Sequence, residues 1–228
     1  VYFALKESQN GENCQIGFVK NINQFKPFRK WHPADQLTAW FSNHFYNDAI
    51  LYCLMTDEYR LKIPILSGEN EIIQNASQSY DFIGLNYYSH NFLKFQLFST
   101  PHVNVAFPEK EIKTDMPYTM YAQGFYDAIE SVSKLKKPVI ITENGVADRE
   151  DKIRSEWITD YLNQLVIALE NGIDIRGYFY WSLLDNYEWA EGYNMKFGLY
   201  EVDFKTQQRT LREGSKTFQK IIKSEISP

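Results

Sequence analysis

Four short apolar runs, each trailed by a longer amphipathic stretch, constrain this chain more than any other feature. Gln15 to Val19 precedes a stretch from Pro33 to Tyr59 in which Leu37, Trp40, Phe41, Phe45, Ala49 and Leu51 recur at helical spacing. Asp81 to Tyr88 precedes a polar, Pro-containing loop and a helical pattern from Tyr121 to Leu135. Pro138 to Thr142 precedes a helix from Ile153 to Asn171, closed by Gly172 at the position where helices commonly turn left-handed. Gly177 to Leu183 precedes a last helix from about Arg212 to Lys223. Strand-then-helix alternation predicts βα units around a parallel sheet. Four such units are half of a (β/α)8 TIM barrel, and at this spacing 228 residues hold no room for four more. The chain alone would leave two parallel edges unpaired, so a complement is expected. Val1 to Lys6 reads as the tail of a helix already under way, and the chain opens on Val1 rather than Met, so an N-terminal part is expected to precede it.

Charge and composition remove other classes. Lys+Arg number 24 against 29 Asp+Glu, a net charge of −5, with no basic cluster to attract nucleic acid. Apolar residues at 44% and charged residues at 23% are globular values, and the aromatic content of 16% is the one excess. No run approaches the ~18 apolar residues of a membrane span, and no basic-then-apolar leader opens the chain, so no membrane partner is expected. Cys14 and Cys53 are too few for a disulfide framework and are expected to be free thiols in a reducing compartment, which points to the cytoplasm. His32, His44, His90 and His102 are not at metal-ligand spacing, so neither a metal nor another cofactor is expected.

The candidate chemistry gathers just after these strands, the end at which barrel enzymes place their sites. Glu143 follows Pro-Val-Ile-Ile-Thr directly and precedes Asn144 and Gly145, a place suited to a nucleophile and equally to a salt-bridge carboxylate. Asn86 and Tyr88, two apart at the end of another strand, share a face and can hydrogen-bond inward, or simply pack. After the fourth run, Asp185-Asn186-Tyr187-Glu188-Trp189-Ala190-Glu191-Gly192-Tyr193 interleaves carboxylates with aromatic rings. Aromatic faces stack on the C–H surface of a pyranose while carboxylates accept from neighbouring hydroxyls, so the pattern fits a sugar site.

Three motifs together resemble glycoside hydrolase family 1, the β-glucosidase type: Ile-Thr-Glu143-Asn-Gly, Asp-Phe-Ile-Gly-Leu-Asn86-Tyr-Tyr88, and Gly-Tyr-Phe-Tyr-Trp181-Ser-Leu-Leu-Asp-Asn-Tyr-Glu188-Trp189-Ala-Glu-Gly-Tyr-Asn-Met-Lys-Phe197-Gly-Leu. The likeness runs from about Gln15 to the end and aligns with the second half of the family barrel, strands five to eight, so that residues 1–228 would be the C-terminal half of one glycosidase domain. The resemblance implies Glu143 as nucleophile and Tyr88 as the residue orienting it. It implies Asn86 lining the pocket, Glu188 holding two sugar hydroxyls, Trp189 donating to one of them, Trp181 as the platform under the ring, and Phe197 closing the pocket. Family members that cleave 6-phospho sugars carry a small hydroxyl residue where Glu188 stands and a tyrosine where Phe197 stands, so a non-phosphorylated β-D-glucoside or galactoside is expected.

The implied reaction is double displacement with retention, which needs a second carboxyl about 5 Å from the first. In the family it lies in an Asn-Glu-Pro motif, and no Asn-Glu-Pro occurs in this sequence. The resemblance therefore implies an N-terminal half, in the same or a separate chain, supplying strands one to four and the acid/base. The alternative is a non-catalytic half-barrel that binds sugar or a partner chain, closing its edges by pairing.

Overall fold

The computed structural model describes residues 1–63 and 68–225. The chain begins with helix α1 (Tyr2–Lys6), as the opening residues suggested, and enters strand β1 (Gly17–Pro27). Helix α2 (Pro33–Asn43) starts with Pro33 in its first turn and His32 Nδ1 accepting the Asp35 N–H at 3.4 Å. A π turn over His44–Asp48 carries it into α3 (Ala49–Thr56), so the expected helix ends at Thr56 and not Tyr59. The remainder belongs to a hairpin that the periodicity did not show, β2 (Glu58–Leu61) with β3 (Glu69–Ile72). Then come β4 (Phe82–Phe95), β5 (Val103–Ala106), α4 (Ala122–Ser133), β6 (Val139–Asn144), α5 (Arg154–Glu170), β7 (Ile175–Tyr180), the hairpin of β8 (Tyr200–Val202) and β9 (Arg209–Leu211), and α6 (Lys216–Glu225).

The four expected strands pair in parallel in the order β1-β4-β6-β7, and β5 adds antiparallel to the far end of β4. Among the described residues no strand pairs with the outer sides of β1 and β7, which are the sheet's parallel edges. Several boundaries differ from expectation: β1 runs on to Pro27 and β4 to Phe95, past the apolar runs that end at Val19 and Tyr88. The fourth strand starts at Ile175 and stops at Tyr180, so Trp181 to Leu183 lie beyond it. The last helix starts at Lys216 rather than Arg212, because Arg209–Leu211 pair with β8 and the Arg212 N–H is taken by Leu199 O at 3.0 Å.

The sheet has one sealed and one open face. Ile83, Leu85, Tyr87, Val139 and Ile141 are fully buried against Phe125, Ile129 and Val132 of α4 and Trp157, Ile158 and Tyr161 of α5. On the opposite face Val19 and Thr142 crowd over Gly84, and Ile140 and Phe179 flank Gly177. There Val19 is 51% and Phe179 62% exposed.

Candidate active site

A register irregularity aims the central carboxylate. Along β4 and β6, Ile83 pairs with Val139, Gly84 with Ile140 and Leu85 with Ile141, after which Asn86 pairs with Glu143. Thr142 is thus an extra residue in β6. Strict alternation from buried Ile141 would send Glu143 toward the helices; the bulge turns it to the open face beside Asn86. Thr142 Oγ1 donates to Asn86 Oδ1 at 2.6 Å and ties the bulge to β4.

At this end of the sheet Tyr88 Oη donates to Glu143 Oε2 at 2.6 Å. Burial, and then the bond to Glu143, push the Tyr88 hydroxyl far above its usual range, so it keeps its proton and remains a donor. Its ring lies edge-on to Phe197 at 6.0 Å and tilted against Tyr118 at 6.3 Å. The hydroxyl of Tyr161 on α5 holds the Tyr88 carbonyl at 3.1 Å. Asn144 is fully buried, donating to Tyr87 O at 2.6 Å and accepting from Tyr178 Oη at 3.0 Å, so the residue after Glu143 is locked from both neighbouring strands. Gly145 is required by the close passage of the next loop: a Cβ there would stand 1.7 Å from the Trp181 carbonyl oxygen.

Trp181 is half-buried, its N–H donating to Asn144 O at 2.9 Å. Burial raises the Glu188 carboxyl above its usual range; the Trp181 indole acts in the opposite sense, and the charges of Glu143 and Glu191 add to the rise. Glu188 therefore shares an electrostatic neighbourhood with Glu143. Trp189 stands apart, 80% exposed at the start of a single 3-10 turn. The structure thus gathers Asn86, Tyr88, Glu143, Trp181, Glu188 and Phe197 at one end of the sheet and leaves Trp189 outside that cluster.

Three supporting residues were not singled out in the sequence. Arg154, 0% exposed, donates to Asp151, Val146 O, Tyr180 Oη, Phe197 O, Asp148 O and Lys196 O, joining the loop after β6 to the backbone of Phe197. The available signal was an arginine in the first turn of a helix, where the helix dipole disfavours a cation. Asp148 accepts from the N–H groups of Ile153 and Arg154 at 2.8 and 2.9 Å and starts α5. Tyr118, on the long connection before α4, gave no signal at all.

Asp185 is also accounted for: it is buried, accepts from Gly198 N at 2.9 Å and pairs with Arg212 at 2.8 Å, so it is no free acid. A hollow of about 120 Å³ beside Tyr88 is lined by Asn21, Asn23, Asn91 and Tyr118. A larger cavity, about 480 Å³, lies at the β2–β3 hairpin and shares no residue with this cluster; the chemistry is at the sheet end, where the open face leaves a pocket unclosed. Among the described residues no group of His, Cys, Asp and Glu could hold a metal ion, and no helix is long and apolar enough to cross a membrane.

Known proteins resemble this chain in sequence and in fold. Beta-glucosidase A of Acetivibrio thermocellus is 32% identical over 93% of this chain and 52% of its own length. The beta-galactosidase of Pyrococcus woesei is 30% identical over 92% of this chain and 44% of its own. The solved structure of a beta-glycosidase from Pyrococcus horikoshii superposes with a TM-score of 0.77 at 32% identity, covering 92% of this chain and 48% of that one. The chain spans about half the length of the curated relatives it matches, and β1, β4, β6 and β7 are the corresponding part of a (β/α)8 barrel. The model of the family described as glycosyl hydrolase family 1 matches residues 3–226, and with these relatives it establishes that the chain belongs to that family.

Proposed function

We propose that this chain is the nucleophile-bearing half of a retaining β-glycosidase acting on terminal, non-phosphorylated β-D-glucosides or β-D-galactosides. The observation that carries the reading is the 2.6 Å hydrogen bond from Tyr88 to Glu143 at adjacent strand ends. Glu143 attacks the anomeric carbon as the bond to the leaving oxygen breaks, giving a glycosyl ester; water then cleaves that ester. Tyr88 holds one carboxylate oxygen of Glu143 by its hydrogen bond and leaves the other free to attack. Asn86, Glu188 and Trp181 hold the sugar, Trp189, exposed next to Glu188, donates to it from the rim, and Phe197 backs Tyr88. Two carboxylates, Glu143 and Glu188, already feel each other, so a phosphate dianion in the same pocket would be repelled.

The second carboxyl, which protonates the leaving oxygen and then activates water, is assigned to an N-terminal half that pairs with the free edges of β1 and β7 and covers Val19 and Phe179. Asp185 cannot supply it, being committed to Arg212. A cytoplasmic location belongs to the same proposal and rests on the free, exposed thiol of Cys14. The non-catalytic alternative, a half-barrel binding sugar or a partner chain, is supported by the open face alone.

The test is intact mass after incubation with a 2-deoxy-2-fluoro-β-glucoside of dinitrophenol, whose leaving group needs no acid. It is run on this chain and on the chain mixed with the first half of a family 1 barrel. A gain of one fluoroglucosyl group on the peptide containing Glu143, absent from Glu143→Gln, is expected, with hydrolysis of ordinary substrates falling roughly 10⁴-fold or more in that variant. Labelling of another residue, or none in either preparation, would overturn the proposal.

A further inference from the structure

His90 is 1% exposed on β4, two residues beyond Tyr88, and none of the chemistry above uses it. Its ring stacks on Tyr121 at 4.1 Å and meets the edge of Phe92 at 4.7 Å. Nε2 lies 3.2 Å from Glu111 Oε2 and 3.2 Å from Thr119 Oγ1, while Nδ1 is buried without a partner among the described residues. Thr119 Oγ1 donates to the same Glu111 oxygen at 3.1 Å. These contacts assign the tautomer. A proton on Nδ1 would be a buried donor with no acceptor, whereas a proton on Nε2 meets a carboxylate, so the neutral ring carries its hydrogen on Nε2.

Glu111 and Thr119 lie on opposite arms of the connection that carries Tyr118. The arms are joined by Met120 N to Ile112 O at 2.8 Å and Thr114 N to Tyr118 O at 3.2 Å. Ser89 Oγ donates to Thr119 O, and Asp115 N to Ala147 O at 3.0 Å holds the tip against the loop after β6. Tyr118 then rests on Tyr88, which holds Glu143.

We infer that His90 is a positioning residue: by donating from Nε2 to Glu111 it clamps both arms of the 107–121 connection and so sets Tyr118 as the wall beside Tyr88. The consequence for the reaction rests on the reading of Glu143 above. The charged groups facing the ring are Lys26 on β1, which lies over the Tyr121 ring at 3.5 Å, and Glu111 on the connection. Burial, then Lys26, hold the imidazole down at about 4, against the opposing pull of Glu111, so the clamp is built for the neutral ring.

Two measurements decide it, on the chain and on its mixture with the first half of a family barrel. Nitrogen NMR of histidine-labelled protein should show His90 as the Nε2–H tautomer, still neutral at pH 5. An Nδ1–H tautomer, or titration near the ordinary histidine value, overturns the clamp whatever becomes of the Glu143 reading. In the fluoroglycoside assay, His90→Phe should lower the labelling efficiency at low reagent about tenfold with the limiting rate kept, and speed amide exchange in 107–121 alone. His90→Gln, which keeps a donor at the Nε2 place, should restore both. If His90→Gln is as impaired as His90→Phe, a donor at that place is not what holds the connection. If the wild type is never labelled, the Glu143 reading fails while tautomer and exchange still judge His90.

Discussion

Leu85 on β4 and Phe179 on β7 belong to one sheet, with β6 between them, and differ in their surroundings: Leu85 is enclosed by α4 and α5, while Phe179 looks across the open face. The chain's own helices bury the first surface completely. The second carries an apolar lower part, with Val19, Ile140 and Phe179, and a polar end, with Asn86, Tyr88 and Glu143. Folding information and chemical information are thus divided between the two sides of the same strands. The sealed side holds the backbone in place, and the open side presents groups that need something opposite them.

The strongest challenge to that division is Arg154→Leu. Arg154 belongs to the sealed side, yet its six hydrogen bonds reach the loops around Phe197. Urea denaturation of the variant should show a loss of about 3–5 kcal/mol, since Asp151 and five oxygens lose their donor. A small loss would mean that these loops are not held from the sealed side. Leu85→Ala should cost about 3 kcal/mol in the same assay by leaving a cavity that the helices cannot collapse into. Phe179→Ser should change the stability of the chain by no more than about 0.5 kcal/mol, because little is packed there to lose. Should Phe179→Ser prove as costly as Leu85→Ala, the two faces would not differ as described, and self-association through the open face would be the first thing to measure.

The same division explains what could be read from the sequence. Continuous apolar runs such as Pro138–Thr142 are strands buried on their helix side, and their positions were legible. The far part of β1 was not, because Lys20, Asn21, Asn23, Gln24 and Lys26 break the apolar pattern. Three of these side chains meet partners distant in sequence: Gln24 donates to Gly124 O at 2.8 Å, Asn23 accepts from Asn91 at 2.9 Å, and Lys26 lies over the Tyr121 ring. Arg212 fits the helical period but is drawn out of it by Asp185, a pairing across 27 positions that periodicity cannot register. At the site, Glu143, Tyr88 and Glu188 were found through motifs that resemble a family. His90 and Tyr118 make contacts that form only after the strands align, and no local pattern marks them; Arg154 is marked only by its place in the first turn of a helix.

The extra residue in β6 bears on how such a site can change over generations. Glu143 reaches the open face by counting: one residue more than β4 between the last regular pair and Asn86. Exchange of one side chain for another in Val139, Ile140 or Ile141 leaves that count intact, whereas loss of Thr142 would bring Glu143 directly after Ile141, still on the open face by plain alternation but without the hydroxyl that ties β6 to Asn86. The gene should therefore tolerate loss of the Thr142 codon, which keeps every other residue of the strand on its face, better than loss of the Ile140 or Ile141 codon, which would put Thr142 on the packed side opposite Leu85.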